Sequence, residues 1–140
     1  MAAISHLLTL LATMQPRLGA DAFVFCTLSA GDWGRVAGLD PVVVVREAEA
    51  LTVVVTVAVA RAHGLVTAPV MRMITLDVHS DLEAVGLTAA FATALTGAGI
   101  SANVVAGYYH DHIFVPDGQA EDAMHALKAL QARAVEDTTV

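Results

Sequence analysis

The residue types best suited to chemistry are concentrated in one short segment, GYYHDH, at residues 107–112. His110 and His112 are two positions apart, so on a strand they would project from the same face and could bind one metal ion, with Asp77 and His79 completing the site. A His-x-His pair without cysteines or a helical His-x-x-x-His is more often structural. We therefore expect no metal, and keep a metal-binding protein that uses His110 and His112 as an alternative.

Asp111, between the two histidines, is a carboxylate that could accept a hydrogen bond from a cationic group of a ligand. Such a charge-assisted hydrogen bond contributes about 1.5–3 kcal/mol. The alternative is that Asp111 is an ordinary exposed aspartate in a turn, where this residue type is common.

A complementary element is predicted upstream, where the strand ITLDVH (74–79) runs into Ser80, Asp81 and a helix over 82–96. The first N–H groups of a helix are unpaired and carry partial positive charge, so this turn could receive a carboxylate. Gly86 within the first helical turns costs about 1 kcal/mol relative to alanine. Either a ligand that approaches closely or tight packing of the helix on the sheet would explain it.

Other catalytic arrangements find no support in the sequence. Cys26 lies in an apolar strand, so we expect an inert core thiol, and a lone cysteine forms no internal disulfide. Gly97 and Gly99 end a helix rather than open one, which does not match a phosphate-binding loop or a dinucleotide fingerprint. We therefore expect neither enzymatic activity nor a cofactor.

The charge of the chain is unevenly distributed. Its 140 residues have a formal net charge of −7, and residues 77–140 hold nine acidic and two basic side chains. A nucleic-acid-binding protein presents clustered Lys and Arg, whereas this chain has a single lysine. We expect no nucleic-acid partner.

Two apolar segments raise the question of a membrane. Residues 84–109 contain no charged side chain and are long enough to span a bilayer, but Gly97, Gly99 and Asn103 interrupt them. The N-terminal HLLTLLATM has no preceding Lys or Arg and reads as an amphipathic helix rather than a signal peptide. We expect a cytoplasmic protein without a membrane segment.

Periodicity and breaker residues predict a mixed order of helices and strands. The predicted elements are a helix at 3–14, a strand at 23–28, a Gly-rich loop at 29–38, hairpin strands at 42–47 and 51–55, a short helix within 57–64, a strand at 69–79, a helix at 82–96, hairpin strands at 100–105 and 112–115, and a helix from 120 to 134 followed by a frayed 135–140.

The segments VHSDLEAVGLTAAF (78–91) and GISANVVAGYYHDHIFVP (99–116), and more weakly REAEALT (46–52), resemble the ACT domain family. These domains are small βαββαβ ligand-binding modules that regulate amino-acid metabolism, and the chain is most similar to compact bacterial proteins with two of them. The resemblance implies an α+β fold of two ferredoxin-like domains, 1–69 and 70–140, each an antiparallel sheet with helices on one face. The strand 69–79 would close the first domain and open the second.

The resemblance also implies a non-enzymatic sensor that binds a small ligand, an amino acid, between domains or between subunits of a homo-oligomer. The binding residues carried over by motif are Ser80, Leu82, Val85, Gly86, Leu87, Asn103, Val104, His110, Asp111 and His112. The first half of the chain lacks these sequence motifs, so the presence of a second ligand site near Glu47 and Glu49 stays open. A purely structural homo-oligomer without a ligand is a further alternative.

Overall fold

The computed structural model describes residues 2–77 and 85–138, with side chains from residue 6 onward within those ranges. Its elements in chain order are α1 (Ala2–Thr13), β1 (Pro16–Ser29), α2 (Val36–Leu39), β2 (Val43–Arg46), β3 (Ala50–Thr56), α3 (Val57–Ala62), β4 (Met71–Leu76), α4 (Leu87–Gly97), β5 (Asn103–Ala106), β6 (Asp111–Pro116) and α5 (Ala120–Thr138). Short 3₁₀ turns at Trp33–Arg35 and Asp117–Gln119 precede α2 and α5. None of the described helices has the length and apolar character needed to cross a membrane.

The strands form a six-stranded antiparallel sheet in the order β2-β3-β1-β4-β6-β5. Elements β1 to β4 follow the sequence β-α-β-β-α-β, and the same sequence begins again at β4 with α4, β5, β6 and α5. In the order of elements β4 thus ends one β-α-β-β-α-β series and begins the next, and its role at a boundary between two domains stays a prediction. By internal contacts the chain divides into two compact units, one comprising Met1–Gly19 and Arg72–Val140 and the other Ala20–Met71.

The first unit packs three helices against one face of its strands. Residues 74 and 76 of β4 and 113 and 115 of β6 alternate onto this face. The buried cluster that they form with the helices includes Leu10, Leu11, Met14, Ile74, Leu76, Leu87, Phe91, Leu95, Ile113, Val115 and Leu127. The amide of Gln131 in α5 donates a hydrogen bond to the carbonyl oxygen of Ala12 in α1, at 3.1 Å. The first and last helices of the chain are thereby joined.

The second unit has its own smaller core. Its buried cluster consists of Val24, Cys26, Leu28, Leu39, Leu51, Val53, Val55 and Ala60, which come from β1, α2, β3 and α3. Thr56 explains why the apolar run after β3 becomes helical, because its hydroxyl caps α3 by accepting from the N–H of Val59 at 3.2 Å. The predicted hairpin and short helix of this unit are confirmed.

Two predictions near the N-terminus are corrected. The first strand begins at Pro16 rather than at residue 23. Proline is tolerated at the first residue of a strand, and Gly19 lies within it, where an added Cβ would be 3.5 Å from the carbonyl oxygen of Met73. The loop predicted at 29–38 contains a 3₁₀ turn and most of α2, whose four residues are too few to show a helical period.

The boundaries of the C-terminal elements also differ from prediction. The strand expected at 69–79 is β4, Met71–Leu76, and residues 78 and 79 lie outside the described ranges. The helix expected from residue 82 begins at Leu87, so Gly86 is its N-cap rather than an interior residue. Of the residues expected to fray, 135–138 are helical, because α5 continues to Thr138, whose hydroxyl donates to the carbonyl oxygen of Val135 at 2.9 Å, and residues 139 and 140 lie outside the described ranges.

Candidate functional site

The hairpin of β5 and β6 carries half of the predicted site residues. Asn103 pairs with Phe114, and Ala106 pairs with Asp111. Side chains alternate between the faces of a sheet, so Asp111 shares a face with Ile113, which packs against the helices. His112 lies on the opposite face. The hairpin thus offers two chemically different surfaces.

Asp111 is a half-buried carboxylate on the helix-facing side of the hairpin. Burial raises the pKa of its carboxyl above the usual value, against the opposing effect of the His112 and His110 rings. Within residues 2–77 and 85–138, its carboxylate forms no salt bridge with a lysine or arginine. A cation that reached Asp111 would therefore meet a carboxylate that is already partly dehydrated, which strengthens their attraction.

His112 is held on the other face by a buried threonine. Thr75 in β4 is only 4% exposed, and its Oγ1 lies 2.9 Å from Nδ1 of His112. Partial burial lowers the pKa of His112 below its usual value, and the neighbouring His110 acts in the same direction while Asp111 opposes it. The ring is therefore biased towards its neutral form, in which one nitrogen donates and the other accepts.

The turn between the two strands is tightly packed at its base. The N–H of Gly107 donates to the carbonyl oxygen of His110 at 2.9 Å. A Cβ added to Gly107 would lie 2.9 Å from that oxygen and 3.3 Å from Nε2 of His112. Only glycine fits here without displacement. The tip of the turn is open to solvent, with Tyr108 and Tyr109 in an edge-to-face contact at 5.1 Å between ring centroids.

An exposed ion pair lies on the strands beside this hairpin. Arg17 of β1 donates from Nε and Nη2 to the two carboxylate oxygens of Asp77, at 3.0 and 3.3 Å. This hydrogen bonding lowers the pKa of the Asp77 carboxyl. The pair is solvent-exposed, so it contributes little to stability, but it fixes one positive and one negative group near the histidines.

The start of α4 is the second part of the predicted site. Gly86 has a φ of 93°, and its carbonyl oxygen accepts the first helical bond from the N–H of Ala90 at 3.0 Å. The positive φ explains the glycine, because a side chain would strain this conformation. Gly86 provides no side chain to cap the helix, and the first amide groups of a helix have no partner within the helix, so those of α4 are potential donors.

The structure brings some of the predicted residues together and separates others. Val104 and Asp111 lie on the helix-facing side of the hairpin, whereas Asn103 and His112 lie on the opposite side. Leu87 is buried in the core, and Val85 is 86% exposed. Ser80 and Leu82 fall outside the described residues. No ligand role of these residues is tested by this geometry.

Sequence reasoning missed two polar residues beside the hairpin, Thr75 and Arg17. The alternation of ITLDVH places Thr75 and Asp77 on one face of a strand, and that signal could have identified Thr75. No sequence signal pairs Arg17 with Asp77, because they are 60 residues apart.

The alternative metal site predicted from the sequence involves the same histidines. In the described parts of the chain, no three His, Cys, Asp or Glu side chains are grouped so that they could hold a metal ion. His79, which could take part, lies outside them. Asp77 is engaged by Arg17.

A shallow groove of about 680 Å³ runs along α4 in the first unit. Its lining is mostly small and apolar, and consists of Leu7, Gly86, Ala89, Ala90, Thr93, Ala94, Gly97, Leu130 and Arg133. Among the described residues, Arg133 is the one charged side chain that lines it.

Comparison with protein families found a match in each half of the chain. One model described as an ACT domain matches residues 2–72, and a second, also described as an ACT domain, matches residues 68–129. The two matches overlap at residues 68–72, which include the predicted division between residues 69 and 70. That division itself stays a prediction. A search of the curated proteins gave no match.

Solved structures show the same architecture. A protein of unknown function from Vibrio cholerae, described as a possible transport protein, is 48% identical, with a TM-score of 0.83 over 92% of this chain and 98% of that one. A protein from Agrobacterium tumefaciens is 17% identical, with a TM-score of 0.69 over 84% and 89%. The regulatory subunit of aspartate kinase from Thermus flavus is 11% identical, with a TM-score of 0.66 over 84% and 98%. The last two likenesses concern the fold alone.

Proposed function

Because this chain belongs to the ACT domain family, we propose that it is a non-enzymatic regulatory protein that binds an amino acid. ACT domains have the ferredoxin-like βαββαβ fold and are typically regulatory ligand-binding modules. The observation that supports an amino acid most directly is Asp111, a carboxylate held partly out of water on the helix-facing side of the hairpin.

The ligand's ammonium group would be bound by Asp111. A partly dehydrated carboxylate is stabilised by an arriving cation more than a fully hydrated one, because less water is displaced on binding. A charge-assisted hydrogen bond of this kind contributes about 1.5–3 kcal/mol. Val104, on the same side of the hairpin, would contact the ligand's side chain.

The ligand's carboxylate would be bound by the turn before α4. The amide groups at the start of a helix are unpaired and lie at its positive end. Gly86 adds no side-chain cap to them. The remaining predicted residues, Ser80, Leu82, Val85, Leu87, Asn103, His110 and His112, belong to the ligand site in this proposal.

We further propose that the protein is a homodimer or larger and acts in the cytoplasm. The edge strand β2 exposes Val45 at 45%, and unpaired strand edges favour pairing with another chain. Cys26 is a buried free thiol, which suits a reducing compartment.

A thermal-shift assay with each of the twenty amino acids tests the proposal. A ligand at about a hundred times its dissociation constant stabilises the native state by about 2.7 kcal/mol, which raises the melting temperature of a chain of this size by roughly 5–10 °C. If no amino acid shifts the melting temperature, the sensor function is wrong, and a structural homo-oligomer without ligand replaces it.

A further inference from the structure

The groove along α4 lies where three helices of the first unit meet. It has a volume of about 680 Å³ and is lined by residues of α1 and α5 and by much of the length of α4. Leu7, Ala90 and Leu130 are partly buried and pack against the core cluster, so the apolar part of the groove rests on the interior of the unit. Volumes of this order are typical of small-molecule sites, which are mostly apolar and carry few polar groups.

Small side chains keep the groove open along α4. Ala89, Thr93 and Gly97 line it at four-residue steps, so they lie on one face of the helix, and Ala94 lies beside them. From Gly86 to Gly97 this face is about 16 Å long, because an α-helix rises about 1.5 Å per residue. An aliphatic chain could therefore lie lengthwise against the helix without displacing a large side chain.

Arg133 of α5 gives the groove its charge. It is exposed, and it forms no salt bridge with another residue of the described ranges. None of the described residues that line the groove is acidic. The groove therefore offers a charged partner to an anionic group and no carboxylate to a cation. This local positive charge stands out in a chain whose formal net charge is −7.

We propose that the groove along α4 binds a free amphiphile with a carboxylate head and a short aliphatic chain. The chain would lie along α4, and the carboxylate would meet the guanidinium group of Arg133. A membrane surface fits less well, because binding to anionic lipids requires clusters of Lys and Arg, whereas residues 77–140 hold two basic side chains. The groove shares Gly86 with the proposed amino-acid site but does not include Asp111, so the two proposals can fail separately.

An NMR titration of the full chain with octanoate tests the proposal, and octanamide, which has the same chain and a neutral head, is the matched ligand. We expect octanoate to shift the backbone amide signals of Ala89, Thr93 and Gly97 until they saturate. Its dissociation constant should be about threefold lower than that of octanamide, the strength of a solvent-exposed ion pair, and high salt should reduce this ratio. Hexanoate, which is two methylenes shorter, should bind about fourfold more weakly than octanoate, because one fully buried methylene contributes about that factor.

Variants separate the head of the ligand from its chain. Arg133→Gln should remove the preference for octanoate and leave the binding of octanamide unchanged. Lys128→Gln is the matched control, because it removes an exposed cation from the same helix outside the groove, and it should keep the preference. Asp111→Asn should bind octanoate as the wild type does, whatever its effect on amino-acid binding.

Four results would overturn the proposal. Equal dissociation constants for octanoate and octanamide, or a preference that survives in Arg133→Gln, would show that Arg133 does not bind the head. Equal binding of hexanoate and octanoate, or no shift of the groove signals, would show that the chain does not lie along α4. If the same signals shifted with protein concentration in the absence of ligand, a second copy of the chain would cover the groove, and the amphiphile would be excluded in the same way. The ligand comparisons use the wild-type protein, so they decide the matter even if Arg133→Gln does not fold.

Discussion

Asp111→Asn should separate ligand binding from stability. Burial raises the pKa of this carboxyl, so the folded state holds the proton more tightly than the unfolded state does. The carboxylate therefore reduces stability as the pH rises through that window, and at neutral pH its charge disfavours the free native protein. Asparagine removes the charge at nearly constant volume. We expect the melting temperature of the free variant to equal or exceed that of the wild type.

The same substitution should weaken ligand binding. Losing a charge-assisted hydrogen bond of about 1.5–3 kcal/mol raises the dissociation constant roughly ten- to a hundredfold. At a ligand concentration of about a hundred times the wild-type constant, the stabilisation would fall from about 2.7 to roughly 0.4–1.4 kcal/mol. Differential scanning calorimetry with and without the amino acid measures both quantities in one pair of experiments.

Asp122→Asn is the matched control, because it removes an exposed carboxylate in the first turn of α5. It should keep the full ligand-induced shift. If Asp111→Asn also keeps the full shift, the ammonium group is bound elsewhere, and the region around Glu47 and Glu49 becomes the candidate. If the free Asp111→Asn variant melts well below the wild type, the carboxylate has a structural role and the reasoning from its burial is wrong.

Four further outcomes are expected. Gly86→Ala should lower the free energy of unfolding by about 1–2 kcal/mol, because Gly86 has a positive φ. Gly97→Ala should not lower it, because a Cβ added there meets no atom within 4 Å. Equal effects of the two substitutions on urea unfolding would contradict this. The pKa of His112 is lowered in the folded protein, so the unfolded state binds this proton more readily. The free energy of unfolding should therefore fall as the pH drops below about 6.5. If the stability of the wild type and of His112→Asn depended on pH in the same way, this prediction would be refuted. Light scattering should give at least twice the 14.5 kDa chain mass, and a monomer at micromolar concentration would exclude the homo-oligomer. A chelator should leave the melting temperature unchanged, and a large loss would support the metal alternative.

The order of elements was predictable because long periodic segments dominate the chain. The faces of α4 and α5 follow directly from the spacing of Phe91, Leu95 and Leu127, all of which are buried. Boundaries were less predictable where backbone geometry decides them. Gly86 reads equally well as a helix interior or as an N-cap until its φ is known, and Pro16 reads as a breaker although it begins a strand.

Of the candidate site, the sequence predicted only which residues are neighbours along the chain. Adjacent residues such as His110, Asp111 and His112 could be grouped from the sequence. Their distribution over the two faces of the sheet depends on the register of the hairpin. The contact of Thr75 with His112 joins two residues that are 37 positions apart in the sequence. Such contacts leave no local pattern, because they arise from the order in which strands join the sheet.

The joining of α1 to α5 has a consequence for the order in which the protein can fold during synthesis. The second unit, Ala20–Met71, is continuous in sequence, so all of its residues are synthesised before residues 72–140 of the first unit. The first unit needs residues from both sides of the second, because α1 packs on α5, where Gln131 lies 119 residues after its partner Ala12. Until α5 is synthesised, the apolar residues Leu10, Leu11 and Met14, which are buried in the folded protein, lack that contact. A nascent chain held before residue 120 should bind chaperones through α1, and completion of α5 should release them.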